Sequence, residues 1–166
     1  MDNLQLSQGG NFVLASAALA NGTTAGTIKT VTNPVAFTID GQFYSKAATD
    51  NISIAISENS GVYGDPGNGS FTGGANGSTR LYGLFLDTSG AVSVKGGKIA
   101  NTAALAAGAE ALHFPAPQKG KACMGVLRIA VTSGTTFIPG TTALNAAGVT
   151  ASYLNLSSIP GEPLTS

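Results

Sequence analysis

The feature that most restricts how this chain can fold is a strand, turn, strand pattern centred on Asp40-Gly41. Val35, Phe37 and Ile39 alternate with Ala36 and Thr38, and Gln42-Phe43-Tyr44-Ser45-Lys46 returns on the other side of the turn. Alternation with a period of two is strand spacing, and Asp-Gly accepts positive φ at both central positions of a two-residue turn. The pattern predicts a β-hairpin. A second hairpin follows the same logic. Leu81-Tyr82-Gly83-Leu84-Phe85-Leu86 leads into Asp87-Thr88-Ser89-Gly90 and back through Ala91-Val92-Ser93-Val94-Lys95. Its first arm is apolar at nearly every position, the mark of a strand covered on both faces, whereas its return arm alternates Val92 and Val94 with Ser93 and Lys95.

Further strands are expected where Ile52, Ile54 and Ile56 alternate with Ser53, Ala55 and Ser57. Two more are expected at residues 124–132, with Leu127, Ile129 and Val131 on one side, and at residues 149–156. Pro139-Gly140 between them supplies a turn, with Pro pre-set for its second position and Gly for its third. Apolar residues at helical spacing are scarce, and only residues 12–20 and 102–112 are helix candidates. Asn101 or Thr102 can cap the latter, but Leu105 and Leu112 are its only large anchors, so a short helix or packed loop is expected. The former reads equally well as a strand, and residues 142–147 can make one helical turn ended by Gly148.

These elements define a mainly β fold: a single antiparallel β-sandwich or jelly-roll-like barrel with one or two short helices and a long Gly-rich loop. Residues 1–20 are expected as an N-terminal arm, residues 21–157 as the β domain, and residues 158–166 as an extended, Pro-rich tail. The loop at residues 58–79 has no periodicity, and loops so long are functional or disordered. Tyr63 and Phe71 are its large apolar residues. They fasten it either to a partner or to its own domain.

Charge then narrows the function. Only 10% of the residues are charged, against about 25% in an average domain. The eight basic and eight acidic side chains give no net charge and no basic stripe to neutralise a phosphate backbone, so direct nucleic-acid binding is not expected. A surface of Thr, Ser, Asn and Gly docks at small desolvation cost, which suits permanent association. No run of 18 apolar residues is present to cross a membrane, and residues 1–10 lack the positive start and apolar middle of a signal peptide.

Catalytic chemistry finds few residues to use. The one histidine, His113, lies between Leu112 and Phe114, and no Gly-x-Ser-x-Gly elbow accompanies it. The one cysteine, Cys123, sits in an apolar run and reads as a small buried hydrophobe. Those two residues are too few for a zinc site, and Asp65 lacks the Asp-x-Asp-x-Asp-Gly pattern of a calcium loop. Asp40, Asp50 and Asp87 stand where turns and strand ends already explain them. No enzyme activity, metal or cofactor is expected, nor a small-molecule substrate.

The hairpin, with its Asp40-Gly41 turn and its Tyr44-Ser45-Lys46-Ala47 return, resembles one found in head-associated proteins of tailed bacteriophages. The later Phe137-Ile138-Pro139-Gly140-Thr141-Thr142-Ala143-Leu144 turn, followed by Gly148-Val149-Thr150, is similar to the same group. This resemblance implies a capsid cement or decoration protein: a virion structural protein on the outer capsid surface, made in the host bacterial cytoplasm. It implies a homotrimer that binds the major capsid protein and bridges capsomers. Leu4, Leu6, Phe12 and Leu14 of the N-terminal segment, with Tyr63 and Phe71 of the loop, are the candidate partner contacts. The alternatives are another virion component, such as a head fibre, tail tube or baseplate protein, or a carbohydrate-binding β-sandwich. The last would want exposed aromatic platforms, and the chain has no Trp and only four Tyr.

Overall fold

The computed structural model describes residues 10–30, 34–56 and 67–156. The protein is mainly β, with antiparallel sheets and little helix, and the described residues form no closed barrel. Its largest sheet is built on two long strands, β8 (Ser78–Leu86) and β11 (Ala122–Val131), which pair along their whole length. Strand β13 (Val149–Leu154) flanks β11, while β9 (Val92–Gly96) and β10 (Ala100–Asn101) share the far edge of β8. Every residue of β8 is buried: the run at residues 81–86 as its apolar composition requires, and Ser78, Thr79 and Arg80 as buried polar residues at its start.

Met124 is an extra residue on β11: Cys123 pairs with Phe85 and Gly125 with Leu84, so two residues oppose one. This bulge resets the alternation, which lets Leu127, Ile129 and Val131 join Met124 in the main core while Val126 faces the other way with Cys123.

A three-stranded sheet joins β1 (Phe12–Val13), β4 (Val35–Ile39) and β5 (Gln42–Lys46) in the order β1-β4-β5. The hairpin turn is the one its residues dictate, with Asp40 at φ 49 and Gly41 at φ 78. A second three-stranded sheet contains β2 (Leu19–Asn21), β3 (Thr27–Thr30) and β6 (Ile52–Ser53). The inner faces of both small sheets share one core with the large sheet, in which Phe37, Ile28, Leu84, Leu127 and Ile129 are wholly buried. The opposite face of the large sheet holds a smaller core of Leu81, Phe85, Cys123 and Val126, covered by Leu105 and Leu112.

Several expectations change. Residues 12–20 hold no helix: Phe12–Val13 and the start of Leu19–Asn21 are strand with a bend between them, and Val13, Ala17 and Leu19 lie in the core, so this stretch packs into the body instead of forming an arm that ends at residue 20. The helix expected over 102–112 is only α1 (Thr102–Ala106). Asn101 Oδ1 caps it by accepting from the backbone N–H groups of Ala103 and Ala104. Its single buried anchor, Leu105, holds one turn, and Leu112 reaches the smaller core from an extended segment. Residues 142–147 form successive turns without a helix. The turn at Pro139-Gly140 is present, closed by Thr141 N–H donating to the Ile138 carbonyl at 3.1 Å.

The loop expected over 58–79 is shorter than its composition suggests. Strand β7 (Phe71–Thr72) pairs with β12 (Thr136–Phe137), and β8 begins at Ser78. Arg80 and Tyr82 tie the described part of this stretch down. Arg80 Nη1 and the Tyr82 hydroxyl both donate to the Gly69 carbonyl, at 2.9 and 2.6 Å. The tail at 158–166 and the loop residues 58–66 lie outside the described residues.

Candidate interaction surface

Register across the β1-β4-β5 sheet decides which side chains meet solvent. Val13, Phe37 and Tyr44 stand in one row and point into the core, where the Phe37 and Tyr44 rings stack at 5.6 Å. The neighbouring row is Phe12, Thr38 and Phe43, which must therefore point outward. One step further along, Leu14 N–H donates to the Ala36 carbonyl at 2.8 Å and continues the ladder, opposite Ser45 on the far strand. The outer face thus carries Phe12, Leu14, Ala36, Thr38, Phe43 and Ser45, with no charged residue among them.

Two of these side chains stand well clear of the protein: Phe43 is 65% exposed and Leu14 51% exposed. Large apolar groups held in water on a rigid sheet mark interaction sites when they adjoin one another. Strand β5 also ends its sheet, with β4 as its one strand neighbour among the described residues. An edge strand of this kind offers free backbone donors and acceptors to another chain.

Of the six expected partner contacts, the structure brings Phe12 and Leu14 to this face. Leu4, Leu6 and Tyr63 lie outside the described residues. Phe71 is turned into the core and not towards solvent: it is 5% exposed, pairs with Phe137 across β7 and β12, and packs on the Phe137 and Tyr82 rings at 6.1 and 6.4 Å. A core position explains it. Phe43 was the missing member of the patch, although the hairpin carries the signal that finds it. A two-residue turn sets Phe37 opposite Tyr44, so if Val35, Phe37 and Ile39 face the core, Phe43 cannot.

The remaining reactive groups have local duties. Asp87 accepts from Ser89 N–H, Ser89 Oγ and Ala91 N–H, and these bonds, the Ser89 hydroxyl first, hold its carboxyl below the usual range. Asp50 is lowered in the same way by Thr23 and Asn51. Cys123 is buried and its thiol is pushed up to about 11 by desolvation. His113 is exposed. Among the described residues, no group of three or more His, Cys, Asp or Glu is assembled that could hold a metal ion, and no helix is long and apolar enough to cross a membrane.

These shifts set the pH dependence of stability. Asp50 and Asp87 have folded pKa values below the unfolded 3.8, so their contribution is present above that value and is lost as the pH falls from it through the lower folded values. Cys123, raised from 9.0 to about 11, acts in the opposite sense: its contribution is present below pH 9 and is lost as the pH climbs towards 11. Urea midpoints should therefore fall between pH 9 and 11, and Cys123→Ala should reduce that slope most between pH 9 and 10, because above pH 10 Tyr153, pushed up from 10 to about 12 by burial, adds a fall of the same sign. An unchanged limb in the variant would contradict the assignment.

The fold and this surface define a mainly β, antiparallel protein with an uncharged apolar sheet face turned to solvent. No protein-family model, curated protein or solved structure matches the chain.

Proposed function

We infer that this chain is a structural virion protein of the cement kind, which binds the outer surface of a phage capsid as a homotrimer and stabilises the shell by bridging capsomers. The observation that carries this reading is the face formed by Phe12, Leu14 and Phe43 on a chain with only 10% charged residues. A shell presents the same binding surface many times at fixed spacing, so modest contacts per copy sum through multivalency into stable attachment. An apolar face with no ionised groups suits that role, because docking it buries no unpaired charge. The partner is the major capsid protein, and the outer edge of β5, unpaired among the described residues, allows main-chain pairing with it.

Purified protein added to capsids lacking it should bind with a fixed number of copies per capsomer and raise the temperature at which the shells release their DNA. Light scattering of the free protein should report a trimer. Absence of binding at micromolar concentration would refute the reading, and decoration of tails instead of heads in electron micrographs would move the protein to another part of the virion.

A further inference from the structure

Away from the apolar face, the loop between β2 and β3 forms one wall of a cleft of about 170 Å³, and Leu144 and Asn145 form the other. We propose that this cleft binds a single neutral sugar residue through its hydroxyl groups. The inference goes beyond the virion role and does not depend on it.

The loop is held rigid from within and without. Gly22 N–H donates to the Thr27 carbonyl at 2.9 Å, and Thr27 N–H and Oγ1 both donate to the Thr24 carbonyl. From the segment before β6, Asp50 receives Thr23 N–H and Thr23 Oγ1 at 3.1 and 2.6 Å, and Asn51 Oδ1 receives Thr24 N–H at 2.8 Å. Asn51 does this from a left-handed backbone at φ 56, a conformation that costs energy and persists only where its surroundings hold it. Gly26, at φ +70, rests on the Gly140–Thr141 backbone so closely that a Cβ would come within 2.9 Å of it. The loop wall is thus fixed before any ligand arrives, which spares part of the ordering cost of binding.

The lining then selects the ligand. Asn21, Thr24 and Asn145 bring amide and hydroxyl groups, and no lining residue is ionised. Asn21 Oδ1 already accepts from the Tyr153 hydroxyl, which leaves its Nδ2 to donate. The nearest carboxylate, Asp50, is engaged by Thr23 and Asn51. The lining holds neither a cation for an anionic ligand nor a carboxylate for a cationic one, whereas a polyhydroxylated neutral molecule finds both donors and acceptors. Leu144, almost wholly buried, backs the second wall, and the surface the cleft presents is mainly polar. The volume is well below the ~300–1,000 Å³ of sites for drug-sized ligands, and it suits one ring.

The test is a two-dimensional amide NMR titration of the full chain with glucose, galactose, mannose and N-acetylglucosamine, each to tens of millimolar. One of them should give saturable shifts at Thr24, Ala25, Gly26 and Asn145 that are insensitive to salt. Asn145→Ala, at an exposed position, should weaken that binding about tenfold, as expected for one or two lost hydrogen bonds, while Phe43→Ser should leave it unchanged. No saturable shift with any of the four sugars would overturn the proposal. So would shifts that survive Asn145→Ala or that centre on Phe43, and so would a stronger response to sulfate or phosphate than to the sugars.

Discussion

Arg80→Ala should lower the stability of the folded protein by about 3–5 kcal/mol, the range for opening a cavity and stranding buried polar groups together. Arg80 is fully buried on β8. Its Nε donates to the Gly97 carbonyl at 2.8 Å, its Nη1 to the Gly69 carbonyl at 2.9 Å, and its guanidinium lies 5.4 Å from the centre of the Tyr82 ring. Gly97 follows β9 and Gly69 precedes β7, so one planar fork joins segments that share no strand pairing. The absence of a side chain at Gly96 makes the room, since a Cβ there would stand 2.5 Å from Nη2. Lysine cannot replace the fork: a single ammonium serves two diverging carbonyls poorly, and Arg80→Lys should recover less than half the loss. Urea denaturation measures both variants, and amide exchange at Gly69 and Ser70 should accelerate in both. A loss of about 0.5 kcal/mol or less for Arg80→Ala, the size of an ordinary surface change, would contradict this account.

How much of this was legible in the sequence depends on how local the controlling interaction is. The Asp40-Gly41 hairpin and the Pro139-Gly140 turn follow from backbone preferences of adjacent residues, so they appear where the chain announces them. The apolar run of β8 likewise predicts burial on both faces without knowledge of its neighbours. Phe71 is the opposite case. Its Gly- and Asn-rich flanks carry no period, and the partners that bury it, Phe137 and Tyr82, come from distant strands. Arg80 is hidden for the same reason, because nothing beside it in sequence indicates that carbonyls of Gly69 and Gly97 converge on its fork. Phe43 lies between these extremes: its outward position is implied by hairpin register, yet two adjacent aromatics, Phe43 and Tyr44, make the strand look apolar on both sides. The sugar-sized cleft depends wholly on tertiary approach, since Asp50, Leu144 and Asn145 reach the β2–β3 loop from remote segments.

Phe43 and Phe71 therefore give a matched pair of substitutions with opposite expected effects. Phe71→Ala removes a ring from the Phe71, Tyr82 and Phe137 cluster and should cost about 3–5 kcal/mol of folding stability. Its effect on capsid attachment should not exceed what the lost folded fraction explains. Phe43→Ser takes a 65% exposed ring off the outer sheet face and should change stability by no more than about 0.5 kcal/mol. If the face meets the shell, burying that ring is worth roughly 1.5–3 kcal/mol per contact, so each contact should weaken by one to two orders of magnitude. In a trimer the three contacts are lost together, and attachment should fall below detection where the wild-type chain saturates its sites. Co-sedimentation with capsids, beside urea denaturation of the same preparations, separates the two effects. Retained binding by a folded Phe43→Ser protein would remove this face as the site of attachment, and with it the observation on which the cement reading rests.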